Sequence, residues 1–398
     1  MKVLQINSVC GVGSTGRIAT DIHARLRENG HVSYIAYGRD SPENCEKTIK
    51  IGTRFDSYSH IALTRIYDKH GFGSKKATME FIEKVEKIDP DLIQLHNIHG
   101  YYINIELLFN YIKKSNKPVI WTLHDCWAFT GHCAHFETIN CDKWKTGCNR
   151  CPQKKSYPSS FILDNSRENY LKKKEIFTGV KNMTIVTPSN WLANLVKKSF
   201  LSEYSVKVIN NGINLNIFKP TKSDFRKKYQ LEEKFIILGV AGVWTKNKGF
   251  NHFLELANSL DLDEVIVLVG LSEEQQKKLP KNVIGIPKTK NIGNLSELYS
   301  AANVFVNPTL EDTFPTTNLE ALACGTPVIT FNTGGSGESI TEKCGIVVEK
   351  GNIKILKESI KNIKEGKVSD DDCIQHSKLF DKNERFSEYI DLYSKVNN

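Results

Sequence analysis

The chain has 398 residues, 40% hydrophobic and 25% charged, the composition of a soluble globular protein large enough for about two domains. It holds no 18-residue apolar run, so no transmembrane helix is expected, and the start MKVLQINSV reads as a strand entering a Gly-rich loop rather than a signal peptide. The 54 Lys and Arg against 45 Asp and Glu leave a net charge of +9, and no motif accompanies that charge to point to nucleic acid.

Short β-branched runs alternate with amphipathic stretches, the pattern of parallel βαβ units. The first expected strand, Val3–Asn7, leads into Cys10-Gly-Val-Gly-Ser-Thr-Gly16 and a helix from Arg17. Its glycines allow close backbone approach and the helix start favours phosphate, which makes Gly13 and Ser14 candidate ligand contacts. The spacing is neither a Walker A nor a dinucleotide fingerprint, and a tight turn without a ligand is the competing reading. Further strands are expected at Ser33–Tyr37, Leu92–His96, Val119–Leu123 and Thr184–Thr187. A loop-rich linker follows near 207–222, then strands at Phe235–Val240, Val265–Gly270, Val283–Ile286, Val304–Val306 and Val328–Phe331. Asp381 to Val396 reads as a helix. The expected division is 1–205 with a Cys-rich insert at 126–152, then 206–377, then a segment 378–398 that packs back on the first domain. Two doubly wound sheets of this kind bind ligands at the C-terminal ends of their strands.

Ten cysteines in a chain with no signal peptide argue for reduced thiols. Cys133, Cys141, Cys148 and Cys151 offer four soft ligands, the last two at knuckle spacing, and so are candidates for a structural zinc site. Packed free thiols and a disulfide are the alternatives. Cys10, Cys45, Cys324, Cys344 and Cys373 read as incidental or buried thiols. The runs Lys172–Lys174 and Lys197–Lys198 suit either an anionic membrane surface or ordinary solvated helix faces.

The stretch LEDTFPTTNLEALACGTPVITFNTGGSGE, residues 310–338, carries the most chemistry. An apolar strand runs into a loop with Asp312, and a short helix expected from about Asn318 carries Glu320 in its first turn. Gly325 and Pro327 stop it before the next strand. Carboxylates flanking a helix N-terminus, whose N–H groups attract anions, suit a ligand with phosphate and vicinal hydroxyls. Plain helix-start acids are the bland alternative.

This stretch resembles the E-x7-E and GG segment of glycosyltransferase family 4, which has the GT-B fold of two Rossmann-like domains. NGINLNIFKP at 211–220 resembles that family's linker, and Lys248-Gly249 its basic loop. The first half, with GSTG, WTLHD, the cysteines and YLKKKEIF, resembles a bacterial subgroup that acts in exopolysaccharide, capsule and O-antigen assembly, including the colanic-acid type. The resemblance implies a retaining, metal-independent transferase that takes a UDP- or GDP-sugar. The implied acceptor is a glycan or lipid-diphosphate-linked oligosaccharide. It implies a cytoplasmic protein in peripheral contact with the inner face of the membrane, and no cofactor for catalysis.

Carried over by position, Asp312 holds the donor sugar, Glu320 the ribose, and Lys248 the diphosphate. Amides of the segment Phe314, Thr316, Thr317, Asn318 and Leu319 lie against the phosphates. His124, at the end of VIWTL, would act on the donor sugar with Asp125 orienting it or capping the next helix; His96 and His99 are acceptor-side candidates. Base recognition is expected from a loop such as 286–291. The sequence departs from the family twice: Asp312 replaces a Glu, with Glu311 adjacent, and Val243 stands where an Arg is usual, with Lys246 nearby. A nucleotide-sugar epimerase of GT-B architecture and a non-catalytic sugar-nucleotide-binding protein are the competing functions.

Overall fold

Strand β1 (Lys2–Asn7) is buried along nearly its whole length, as a parallel strand covered by helices on both faces must be. Around it the computed structural model, which describes residues 1–289 and 291–397, builds a parallel sheet. Its other strands are β2 (Val32–Tyr37), β3 (Thr48–Lys50), β4 (Leu92–Leu95), β5 (Val119–Thr122), β6 (Met183–Thr187) and β7 (Ser205–Val208). They run in the order β3-β2-β1-β4-β5-β6-β7. The order reverses between β1 and β4, and there the loops after the two strands part.

The second sheet repeats the design. Its strands are β8 (Phe235–Val240), β9 (Glu264–Val269), β10 (Val283–Ile286), β11 (Val304–Asn307), β12 (Val328–Phe331) and β13 (Gly345–Val348), ordered β10-β9-β8-β11-β12-β13. Its reversal lies between β8 and β11. One hydrophobic cluster, with Leu238, Val267 and Phe305, covers one face and another, with Ile237, Leu268 and Val306, the other. This is the expected α/β class with two doubly wound sheets.

The chain divides into Met1–Asn210 together with the residues from Asn383 on, and Asn211–Lys382. The divisions expected at 205/206 and 377/378 are therefore corrected. Ser205–Val208 pairs in parallel with β6, and the Ile209 amide donates to the Thr187 carbonyl, so this segment completes the first sheet. At the other end, Ile213 exchanges backbone hydrogen bonds with Phe380 and Lys382, which keeps that turn in the second unit. Strands β3, β7 and β13 escaped the sequence reading. They are edge strands of three or four residues, with half-exposed patterns that carry little periodicity.

The helix Lys382–Asn397 packs Phe386, Tyr389, Ile390 and Tyr393 into a cluster with Val3, Ile18, Leu92 and Ile120. Full burial of a side chain such as Phe386 contributes on the order of 1.5–3 kcal/mol. The helix also supplies polar partners that β4 and β5 lack. The Tyr393 hydroxyl donates to Gln94 at 3.0 Å, Gln94 donates to Thr122 at 2.8 Å, and Thr122 lies 3.1 Å from the Tyr389 hydroxyl. Gln94 and Thr122 are buried mid-sheet and bond each other, and the tyrosines complete them: Tyr393 satisfies the Gln94 oxygen and Tyr389 the second bond of the Thr122 hydroxyl.

Candidate functional site

In the second unit the loop after β8 turns tightly from Thr245 to Gly249 and packs on the loop after β11. Gly249 has φ +81°, and a Cβ there would fall 2.3 Å from the Pro308 carbonyl oxygen. Only glycine meets both demands. The Leu310 amide and the Thr309 hydroxyl both donate to the Asn247 carbonyl, at 2.7 and 3.2 Å, while the Asn247 side chain donates to the buried Glu311 carboxylate at 2.7 Å. Glu311 thus holds the basic loop in place.

Lys248 is delivered to Asp312, with Nζ 2.7 Å from Oδ2. Asp312 Oδ1 accepts the Phe314 amide at 3.2 Å, and its carbonyl accepts the Gly335 amide at 3.1 Å. The residue expected to hold a sugar is therefore also an Asx-type anchor for its own loop. Lys246 is exposed in this turn and Val243 in the loop just before it.

The helix after this loop spans Thr316–Ala323, starting two residues before the expected Asn318, because Pro315 in an extended conformation ends the loop there. Glu320 consequently sits in the second turn rather than the first, buried, with the Tyr299 hydroxyl donating to it at 3.0 Å. The Phe314 amide is engaged by Asp312 and the Asn318 amide by Pro315, so neither is left for a phosphate as the sequence reading supposed. Thr316 and Thr317 are half-exposed at the helix start, where amides have no intrahelical partner. Leu319 is fully buried and serves packing. The Asn318 side chain accepts from Asn307 at 2.8 Å and donates to the Ser336 carbonyl at 3.1 Å, tying the helix to β11 and to the GG segment. Asn247, Tyr299 and Asn307 were missed by the sequence reading, since each acts through a neighbour and forms no motif. In the expected base-recognition loop 286–291, Lys290 lies outside the described residues.

In the first unit the helix starts at Gly13 rather than Arg17, and Gly13 and Ser14 are exposed in its first turn. Gly11, with φ +76°, makes the turn before it. His124 follows β5 and stacks on His96, with ring centroids 5.4 Å apart and an interplanar angle of 20°. His96 Nε2 lies 3.1 Å from Gln5 Oε1, and His96 Nδ1 lies 3.1 Å from His124 Nε2. Gln5 turns its Nε2 to the Ser33 hydroxyl and its oxygen to His96, which requires a proton on His96 Nε2, so His96 Nδ1 accepts and His124 donates from Nε2. Burial pushes both rings below the usual histidine range, His124 to about 4. Asp125 pairs with His99 at 2.8 Å and also accepts the Trp127 amide, so it serves both His99 and the following turn. Burial opposes its charge, but the His99 contact prevails and holds it down at about 2.

Lys173, the middle of a run read as a solvated or membrane face, is buried and donates to the Trp127 and Thr130 carbonyls at 2.8 and 3.1 Å. The reading is corrected at Lys173 alone, while Lys172, Lys174, Lys197 and Lys198 are exposed. Burial pushes Lys173 down to about 7. All ten cysteines are free thiols. Cys133 is buried, and Cys141, Cys148 and Cys151 pack against the same hydrophobic cluster. A hydrogen bond between Cys133 and Cys151 pushes the first thiol up and the second down. Among the described residues no group of three or more His, Cys, Asp or Glu is arranged to hold a metal ion. The four thiols as placed do not form a closed zinc shell. No helix among the described residues is long and apolar enough to cross a membrane.

Two family models match: "Glycosyltransferase Family 4" over residues 15–217 and "Glycosyl transferases group 1" over residues 221–380. Among relatives, a putative colanic acid biosynthesis glycosyl transferase, WcaC, of Escherichia coli is 29% identical over 54% of this chain and 55% of its own length. An N,N'-diacetylbacillosaminyl-diphospho-undecaprenol alpha-1,3-N-acetylgalactosaminyltransferase of Campylobacter jejuni is 28% identical over 51% of this chain and 58% of its own. The chain thus spans a little over half the length of these curated relatives. Among solved structures, Anabaena Alr3699/HepE in complex with UDP superposes with a TM-score of 0.69 at 15% identity, over 99% of this chain and all of that one.

For His124, an NMR titration of the ring protons should give a midpoint near pH 4 and a neutral ring from pH 6 to 8. A midpoint near the ordinary value of about 6.5 would contradict the buried, His96-bonded placement. The chain belongs to glycosyltransferase family 4.

Proposed function

We propose that the chain transfers a sugar from a nucleoside-diphosphate sugar, UDP- or GDP-linked, to a glycan carried on a lipid diphosphate, in bacterial surface-polysaccharide assembly. The observation that carries this reading is the arrangement at the reversal of the second sheet. There Lys248, Asp312 and the open start of Thr316–Ala323 are built from the loops after β8 and β11, and Glu320 follows on the same helix. The named acceptor chemistry of the Campylobacter relative and the UDP in the Anabaena structure support the choice of ligands.

In this reading the diphosphate takes Lys248 from Asp312 and lies at the helix start, where amides and dipole stabilise charge on the leaving group. Asp312, released, accepts from sugar hydroxyls, and Glu320 accepts from the ribose. His124 serves the transferred sugar as a neutral hydrogen-bonding group. The bond from the anomeric carbon to the diphosphate breaks while the acceptor oxygen bonds on the same face. The acceptor proton passes to the leaving diphosphate, so configuration is retained without a catalytic metal. The protein works at the inner face of the membrane as a peripheral contact. Zinc on Cys133, Cys141, Cys148 and Cys151 is a separate structural proposal that requires the thiols to close into one shell. Metal content of the purified protein decides it.

A panel of nucleotide sugars should raise the thermal midpoint with one donor, since a ligand that binds only the folded state stabilises it. Glu320→Gln should weaken that donor about tenfold, the equivalent of one charge-assisted hydrogen bond. No response across the panel in folded protein would overturn the function. An unchanged donor affinity in the variant would remove Glu320 from the site, and conversion of donor alone to an isomeric sugar nucleotide would mark an epimerase.

A further inference from the structure

We propose that the first unit carries a second anion site, formed by Arg39 and Arg65 about Tyr101 and Tyr157, that grips the diphosphate of a lipid-linked acceptor while the exposed segment Phe161 to Leu163 takes up its hydrocarbon. The inference rests on the acceptor class proposed above and names where this chain would recognise it.

Arg39 follows β2, and its amide donates to the Ser8 carbonyl at 2.9 Å. Its side chain runs beside Gly100, where a Cβ would lie in ordinary contact, 3.8 Å from Nε and 3.9 Å from Cζ. Nε is buried without a hydrogen-bond partner. Arg65, in the helix Arg54–Tyr67, donates from Nη1 to the Ser159 carbonyl at 3.2 Å and lies over the Phe161 ring at 5.2 Å. Among the described residues neither guanidinium makes an ion pair. A guanidinium with desolvated donors and no carboxylate partner is suited to capture phosphate.

Two tyrosines, Tyr101 and Tyr157, with ring centroids 6.3 Å apart, lie within electrostatic reach of both guanidiniums. Tyr101 is 5% exposed, and its hydroxyl is buried with no partner. Its φ of +68° is a strained conformation for an aromatic residue, the kind that persists where surrounding structure requires it. The Tyr157 hydroxyl lies 3.1 Å from His99 Nδ1, whose ring is fixed by Asp125. That carboxylate is engaged by His99 and the Trp127 amide and leaves the arginines to an outside anion.

Next to this polar group the chain exposes apolar surface in an ordered way. Phe161 is 61% exposed, Ile162 62% and Leu163 45%. Their backbone is tied to the helix Arg54–Tyr67, with the Phe161 amide on the Arg65 carbonyl at 2.8 Å and the Leu163 amide on the Ile66 carbonyl at 3.0 Å. Apolar side chains held out in this way, next to unpaired cations, match a ligand that is anionic at one end and hydrocarbon at the other.

The test uses the full chain and phosphatidylcholine vesicles with or without a polyprenyl diphosphate, read by co-sedimentation. The protein should favour the doped vesicles. Arg39→Gln and Arg65→Gln should each weaken that binding about tenfold, with UDP affinity unchanged. A triple Phe161→Ser, Ile162→Ser, Leu163→Ser variant, altered only at exposed positions, should lose vesicle binding yet still bind inorganic pyrophosphate when saturating UDP occupies the donor site. It carries the test alone if an arginine variant does not fold. Equal binding to undoped vesicles, equal binding to phosphatidylglycerol vesicles, or variants that bind as the native chain does would each overturn the site. If a sugar nucleotide binds and the doped vesicles do not, this site fails and the donor reading stands; the converse result sinks only the donor reading.

Discussion

The docking of the Thr245–Gly249 turn onto the loop after β11 is the constraint on which the second unit's site depends. It rests on a glycine that can take φ +81° against the Pro308 carbonyl, and on Asn247, which bonds that loop through both its backbone and its side chain. With the turn clamped, Lys248 has one place to go, and it meets Asp312 there. The ion pair itself contributes little to stability, since its lysine is 43% exposed and such pairs contribute about 0–1 kcal/mol. Its significance is positional. A cation is held near a helix start by one carboxylate.

The first unit shows a different economy of polar groups. Its sheet reversal carries glutamine, histidine and aspartate side chains that meet each other, as in Gln5–His96–His124 and Asp125–His99–Tyr157. Burial keeps His124 and His96 uncharged, so these rings position protons and do not contribute charge. The C-terminal helix satisfies the polar residues further down the same sheet through Tyr389 and Tyr393.

Much of this was legible in the sequence because parallel strands buried on both faces are nearly continuous apolar runs. The central strands of both sheets and the C-terminal helix could all be read, and the sequence singled out Asp312 and Lys248, which the fold brings together. What escaped has physical reasons. Edge strands such as Thr48–Lys50 and Ser205–Val208 are short and half-exposed. Helix starts at Gly13 and Thr316 are set by single-residue backbone geometry, a positive φ at Gly13 and an extended Pro315, which the periodicity of the following residues does not reveal. Lys173 looked like one member of a basic run, and only the fold brings two carbonyl oxygens to its ammonium. Arg39 is silent in the sequence for the same reason, since an unpaired guanidinium is a property of its surroundings.

In the proposed function, Asp312 holds Lys248 in waiting for the donor diphosphate. Calorimetric titration of UDP into the native chain and into Asp312→Asn tests it most directly. An asparagine still accepts the Phe314 amide but no longer competes for the lysine charge. On that reading the variant should bind UDP more tightly by up to about fivefold, the equivalent of one exposed ion pair. Unchanged or weaker binding of UDP in the variant would contradict it.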